Sequence, residues 1–132
     1  MYHHPGHKPV YLNLREFRFP LNAILSILHR ISGIVVVLML IVGLVWLNLL
    51  LLDANHYVHI LAWLSHPLAK VLLLAGGLSL SFHWLTGVRH LLMEYNVWQM
   101  QTRLERAKHS GQLLLVVFGL WSAFLIWRIL IL

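Results

Sequence analysis

The feature that most constrains this chain is an almost unbroken apolar run between residues 21 and 52, made mainly of leucine, isoleucine and valine. A helix of about 20 residues spans the hydrocarbon core of a bilayer, so the run predicts a transmembrane helix with residues to spare. Pro20 favours a start at Leu21, because the first helical position needs no backbone N–H. Asp53 marks the predicted end of the helix.

Two further apolar segments follow, one at about residues 67–95 and one that begins after Ser110-Gly111 and continues to Leu132. Of the 132 residues, 60% are hydrophobic and 11% are charged, whereas soluble domains usually carry about 25% charged residues. The sequence therefore predicts an all-α protein. Residues 1–20 are expected to form a short interfacial N-terminal segment, and residues 21–132 one bundle of three transmembrane helices.

The basic residues are distributed unevenly around these spans. Some precede the first span and others lie between the second and the third, whereas the loop at residues 53–66 has none: the basic residues are Lys8, Arg15 and Arg18, then Arg103, Arg106 and Lys108. This pattern places the N-terminus on the cytoplasmic or matrix side. We expect a multi-pass protein of the bacterial inner membrane with a cytoplasmic N-terminus. No nucleic-acid-binding signature accompanies the net charge of +6, so no nucleic acid is expected as a partner.

Cysteine is absent from the sequence, which excludes disulfides, thiolate-bound iron–sulfur clusters and cysteine-bound zinc within it. Any bound metal would need histidine, carboxylate or methionine as its ligand. The sequence has ten histidines, and five of them lie in segments expected to be aqueous: His3, His4, His7, His56 and His59.

Polar residues interrupt the first span along one stripe, which contains Ser26, His29, Arg30 and Gly33. Ser26 and Arg30 are four residues apart and share a face. A charged residue in a span costs about 2.5–3.5 kcal/mol on insertion scales and marks a functional site by default. Arg30 and His29 could therefore bind an anionic or polar ligand inside the bundle. The alternative is that Arg30 extends to the inner headgroups and Ser26 bonds to its own helix.

The second span carries a histidine near the middle of the membrane. His83, Gly87 and His90 follow an i, i+4, i+7 spacing and share one face. A neutral imidazole is the usual axial ligand of haem in membrane cytochromes, and a small residue one turn away lets a flat macrocycle approach the helix. The alternative is a packing histidine satisfied by hydrogen bonds. The depth of His83 and the neighbouring Gly87 favour a ligand.

A second group of polar residues lies towards the inner end of the same span: Arg89, His90 and Glu94. Antiparallel topology brings this group to the same leaflet as His29 and Arg30. A cationic cluster there could neutralise haem propionates or donate a hydrogen bond to a quinone carbonyl. Arg89 and Glu94 could equally form a plain charged rim.

These residues resemble two signatures of a known family. Residues 8–14 (KPVYLNL), 18–20 (RFP) and 26–33 (SILHRISG) resemble the amino-terminal signature of the succinate dehydrogenase cytochrome b subunit. Residues 83–94 (HWLTGVRHLLME) resemble its second signature, H-x-x-x-G-[IV]-R-H-[LM]-x-x-D. The resemblance extends over residues 8–132, although the third helix matches only in character and Glu94 replaces the usual aspartate.

The resemblance implies a membrane anchor subunit of succinate dehydrogenase, which takes part in the tricarboxylic acid cycle and in electron transport without dehydrogenating succinate itself. It implies that His83 is one axial ligand of haem b, with the second histidine supplied by a partner membrane subunit. Ser26 and Arg30 would line the ubiquinone pocket, and His29 and Arg30 would approach the haem propionates. His90 belongs to the motif and is expected near the haem. An iron–sulfur subunit and a flavoprotein subunit would be the other partners.

Three alternatives stay open at this point. A fumarate reductase anchor would run the reaction in reverse with menaquinone. A small transporter or proton-relay subunit could use the same buried histidines without a haem. A haem-free structural anchor would keep the quinone site and lack the axial ligand. A Soret band would separate the haem protein from the last two.

Overall fold

The structure is a computed structural model that describes residues 19–53, 55–100 and 102–131. Within these ranges the chain forms four α-helices and no β-strand, which confirms the predicted all-α class. The helices are α1 (Leu21–Leu52), α2 (His56–Leu64), α3 (Pro67–Glu94) and α4 (Leu104–Ile131). Apart from Phe19 and Pro20, the predicted interfacial segment at residues 1–20 lies outside the described residues.

The three predicted spans are present as α1, α3 and α4, each long and apolar enough to cross a membrane. α1 has 32 residues, which corresponds to about 48 Å of helix at 1.5 Å per residue. It exceeds the hydrocarbon core of about 30 Å, so it must tilt or extend beyond that core. The most apolar stretch of α1 has a mean hydropathy of 3.0, against 1.6 in α3 and 1.8 in α4.

Local chemistry explains where the helices begin. The carbonyl of Pro20, in extended backbone, accepts the N–H of Ala23 at 2.9 Å at the start of α1. Pro67 occupies the first turn of α3, where its missing N–H costs nothing. Nδ1 of His66 caps this helix by accepting the N–H of Leu68 at 3.2 Å.

Two features differ from the sequence-based expectations. The loop between the first two spans contains α2, whose Trp63 meets Trp46 of α1 edge to face with ring centroids 4.8 Å apart. α4 begins at Leu104 and not after Ser110-Gly111. Gly111 lies inside α4, where an added Cβ would stand 3.0 Å from Cδ2 of Leu21. This glycine therefore permits close packing of α4 on α1 and does not mark a helix boundary.

The packing centre of the bundle is α3, which contacts both α1 and α4. Leu25, Phe82 and Leu114, one from each long helix, form the apolar core. Phe82 and Phe118 meet edge to face with ring centroids 5.1 Å apart. Many other large apolar side chains of the spans are exposed on the chain taken alone. The two buried polar side chains among the described residues, Ser32 and Thr86, lie where α1 meets α3.

Candidate functional site

Two histidines that the sequence places in different spans lie side by side in the structure. The rings of His29 in α1 and His83 in α3 are stacked, with centroids 4.1 Å apart and ring planes 9° from parallel. Both side chains are partly buried. The antiparallel packing of α1 on α3 therefore brings together two imidazoles that are far apart in the sequence. We refer to His29 and His83 as the histidine pair.

The hydrogen bonds of His83 assign its tautomer. Nδ1 lies 3.1 Å from the backbone carbonyl oxygen of His29. Because a carbonyl can only accept, Nδ1 carries the proton and Nε2 carries the lone pair. Nε2 has no hydrogen-bond partner among the described residues. Every enclosed side-chain nitrogen or oxygen of these residues has a partner, so Nε2 is not enclosed. The free lone pair of His83 therefore reaches the surface of the bundle.

Two buried hydroxyl groups hold the histidine pair, and each side chain is only 6% exposed. Ser32 of α1 donates to the carbonyl oxygen of His29 at 2.8 Å and lies 3.4 Å from Nδ1 of His83. Oγ1 of Thr86 in α3 lies 2.7 Å from Nδ1 of His29. The same oxygen donates to the carbonyl of Phe82 at 2.6 Å. Hydrogen bonds to side chains and to backbone groups of both helices thus hold the histidine pair in place.

Two glycines bring the backbones of α1 and α3 close to the rings. A Cβ on Gly33 would lie 2.9 Å from Cε1 of His83, which is closer than real Cβ atoms come, so the ring would have to move. Gly87 faces His29, and its Cβ would make an ordinary contact of 3.5 Å with Cε1. The glycine packed most tightly against the His83 ring is therefore Gly33, on the neighbouring helix.

Arg89 ties the three spans together where α1 begins, α3 ends and α4 begins. We call this the basic end, because Arg103 and Arg106 lie in or next to the connection between α3 and α4 there. Nη2 of Arg89 donates to Oδ1 of Asn22 at 2.7 Å and to the carbonyl of Ala107 at 2.8 Å. Its Nε donates to Oγ of Ser110 at 3.0 Å. Arg89 therefore bonds to α1 and α4 at once.

The other predicted site residues stand apart from the histidine pair. Ser26 and Arg30 are exposed on α1, and His90 is exposed on α3. Ser26 and Arg30 make no hydrogen bond or ion pair with the described residues. The predicted stripe on α1 is thus divided, since His29 and Gly33 face α3 while Ser26 and Arg30 face outwards.

The sequence analysis assigned no role to Ser32 and Thr86, although both contact the histidine pair. A signal for them was present, because Ser32 follows His29 by three residues and Thr86 follows His83 by three. Residues three apart on a helix are neighbours on its surface, so each hydroxyl lies beside a histidine. In the part of the chain that the structure describes, no three histidine, aspartate or glutamate side chains come together as a metal site.

Comparison with known proteins decides the family. Residues 5–128 match the family described as succinate dehydrogenase/fumarate reductase transmembrane subunit. The chain belongs to this family. Together with its three long apolar helices, this makes the transmembrane subunit a multi-pass membrane protein. The match confirms the family indicated by the two sequence signatures, and it includes most of α4, which resembles the family only in character.

Two relatives carry related names. The transmembrane subunit is 33% identical over 117 residues to the mitochondrial succinate dehydrogenase cytochrome b560 subunit of Dictyostelium discoideum, a match over 88% of this chain and 59% of that protein. It is 38% identical over 96 residues to the succinate dehydrogenase cytochrome b556 subunit of Coxiella burnetii, covering 70% of this chain and 74% of that protein. The chain thus spans less than two thirds of the length of the Dictyostelium relative.

Proposed function

We propose that this transmembrane subunit anchors a succinate:quinone oxidoreductase, binds haem b through His83 and contributes to the site of quinone reduction. The hydrogen bond from Nδ1 of His83 to the carbonyl of His29 carries the proposal. A metal-bound histidine almost always donates its other ring N–H to a carbonyl, a carboxylate or water, which fixes the ring and raises its basicity. His83 has this arrangement, with the lone pair of Nε2 free.

The hydrogen bonding of His83 fits a residue that binds a haem iron shared with another subunit. His29 lies flat against the face of the His83 ring, and we propose that a partner membrane subunit would supply the second histidine that holds the haem. Haem b, when bound, supplies a one-electron carrier within the membrane. The exposed Arg30 guanidinium suits a propionate carboxylate. We propose His29 and His90 as further neighbours of the haem.

We propose that Ser26 and Arg30 bind ubiquinone at its carbonyl oxygens. Both side chains are exposed one turn apart on α1, and neither is engaged by the described residues. A hydroxyl donates a hydrogen bond to a quinone carbonyl, and a guanidinium stabilises the negative charge that develops as the ring is reduced. Such stabilisation is stronger in a low-dielectric site than in water. Both relatives are named as succinate dehydrogenase cytochrome b subunits, which supports succinate oxidation as the physiological direction.

The proposed partners are a second membrane subunit, an iron–sulfur subunit and a flavoprotein subunit, in the inner membrane of a bacterium. The positive-inside rule supports a cytoplasmic position for the N-terminus and the basic end. Asn55 and Lys108 are exposed at opposite ends of the bundle. Single cysteines introduced there should react with an impermeant thiol reagent from opposite sides of the membrane. Labelling of both from one side would contradict the proposed orientation.

The test of haem binding compares His83→Ala with His90→Ala in the purified complex. His83→Ala should lose the low-spin haem or convert it to a high-spin form, because one strong-field nitrogen is removed, whereas His90→Ala should keep the low-spin absorption spectrum. The reverse result would assign the ligand to His90. A wild-type complex without a Soret band would overturn haem binding and support a haem-free anchor.

A further inference from the structure

The hydroxyl group of Thr86 contacts two carbonyl oxygens of its own helix, those of Phe82 and, at 3.1 Å, His83, and one ring nitrogen of α1. Its proton is directed at the Phe82 carbonyl, 2.6 Å away and four residues earlier in α3. This back-bond is how threonine is commonly satisfied inside transmembrane helices. The contact with Nδ1 of His29, at 2.7 Å, crosses to α1. It satisfies His29, since no other described side chain bonds to that nitrogen.

The direction of the Thr86 proton determines the tautomer of His29. A hydroxyl has one proton and two acceptor lone pairs. With its proton on the Phe82 carbonyl, Oγ1 can only accept from His29, so Nδ1 of His29 carries the hydrogen and Nε2 carries the lone pair. The same bond fixes the rotation of the ring, which lies flat on His83 and has its Cε1 atom next to Gly87.

We propose that Thr86 is a positioning residue that holds His29 in the Nδ1–H tautomer and flat against His83. Through His29 it also sets the surroundings of the group bound at His83. The first part concerns this chain alone, and the second rests on the haem-binding function proposed above. In this tautomer Nε2 of the neutral imidazole accepts hydrogen bonds, so His29 binds a hydroxyl or N–H group of its neighbour in preference to a carbonyl oxygen.

The tautomer is measured directly by solid-state NMR of the membrane-embedded complex labelled with ¹⁵N-histidine. Protonated and unprotonated imidazole nitrogens have well-separated ¹⁵N shifts, and the His29 signals are identified by their loss in His29→Phe. Wild-type protein and Thr86→Ser should both show a protonated Nδ1 at His29. Thr86→Val, which keeps the shape of the side chain and removes the acceptor, should show both tautomers. A wild-type His29 protonated at Nε2 would overturn the proposal.

The effect on the bound group is measured as the midpoint potential of the haem in the assembled complex. Thr86→Val should shift this potential, and Thr86→Ser should restore it. Ser122→Ala is the matched control, because Ser122 also donates to the carbonyl four residues earlier, that of Phe118 at 2.7 Å, but lies on α4. This control should leave the potential unchanged.

A double-mutant cycle separates an effect through His29 from a local change in α3. In the His29→Phe background, Thr86→Val should produce no further shift of the potential. An equal shift with and without His29 would overturn the positioning role. The wild-type tautomer decides the first part even where Thr86→Val fails to assemble. A wild-type complex that shows the expected tautomer but lacks haem overturns the haem function and leaves the role of Thr86 towards His29 supported.

Discussion

Two arginines interrupt the spans towards the basic end, and their surroundings differ. Arg89 is partly buried and donates to α1 and α4. Arg30 is exposed and makes no hydrogen bond with the described residues. A charged residue inside a span can therefore serve either the fold or a binding site. Arg89 is satisfied within this chain and belongs to its architecture, whereas Arg30 is available to a ligand or to a partner subunit.

The largest expected effect concerns Arg30. Arg30→Leu should reduce quinone reductase activity by about 10²-fold, the usual cost of removing one preorganised group that stabilises developing charge. Oxidation of succinate with a soluble artificial acceptor should continue, because electron entry from the soluble partners is unaffected. Assembly should survive, since leucine is tolerated better than arginine in lipid. Quinone reduction at the normal rate would place the quinone site elsewhere.

Arg89→Leu should lower stability and leave activity nearly unchanged, which is the opposite of the result expected for Arg30→Leu. The variant loses three hydrogen bonds, which we expect to lower the stability of the folded subunit by roughly 1–3 kcal/mol. Thermal unfolding of the complex in detergent, followed by circular dichroism, measures this loss. Activity per assembled complex should remain close to that of the wild type. If Arg30→Leu destabilises the complex as much as Arg89→Leu does, the distinction between the two arginines fails.

Ser26→Ala should have a smaller effect than Arg30→Leu at the same site. Loss of one neutral donor to a quinone carbonyl should lower quinone reductase activity about tenfold, equivalent to about 1.4 kcal/mol, and weaken quinone-site inhibitors. Steady-state assays with quinone and with the soluble acceptor provide the comparison. Equal loss in both assays would mean that Ser26 supports the fold and does not contact the substrate.

The smallest expected effect distinguishes two glycines next to the histidine pair. Gly33→Ala should displace the His83 ring, because the new Cβ would stand 2.9 Å from Cε1. The low-spin electron paramagnetic resonance signal of the haem should shift while haem content is retained. Gly87→Ala adds a contact of 3.5 Å to His29 and should leave the signal unchanged. Equal shifts in both variants would show that the pair is sensitive to helix packing in general.

The spans were predictable because lipid imposes a simple rule on long apolar runs. α1 begins and ends where Pro20 and Asp53 indicate. α2 was not predicted, since the short helix His56–Leu64 has neither the length nor the uniformly apolar composition of a span. Gly111 was misleading because its role depends on the side chain of Leu21 in another helix. Such contacts between helices leave no trace in local composition.

The residue types of the candidate site were predictable, but their partners were not. Depth and polarity identified His29 and His83 from the sequence. Their stacking depends on how α1 is rotated about its own axis, and this rotation turns His29 towards α3 and Arg30 away from it. A stripe of polar residues on a helix cannot reveal which edge of the stripe meets the neighbouring helix. The group that orients His83 is a backbone carbonyl, which every residue possesses.

The difference in apolarity between α1 and α3 bears on biogenesis. With a mean hydropathy of 3.0 in its most apolar stretch, α1 can leave the translocon for lipid without help. α3 is less apolar, with a mean hydropathy of 1.6, and it carries Arg89 and the polar residues around it, which make its insertion into lipid less favourable. Arg89 also bonds to groups of α4, but two acceptors that α3 needs, the Asn22 side chain and the His29 carbonyl, belong to α1. Synthesis from the N-terminus therefore delivers these acceptors to the membrane before the helix that needs them is made.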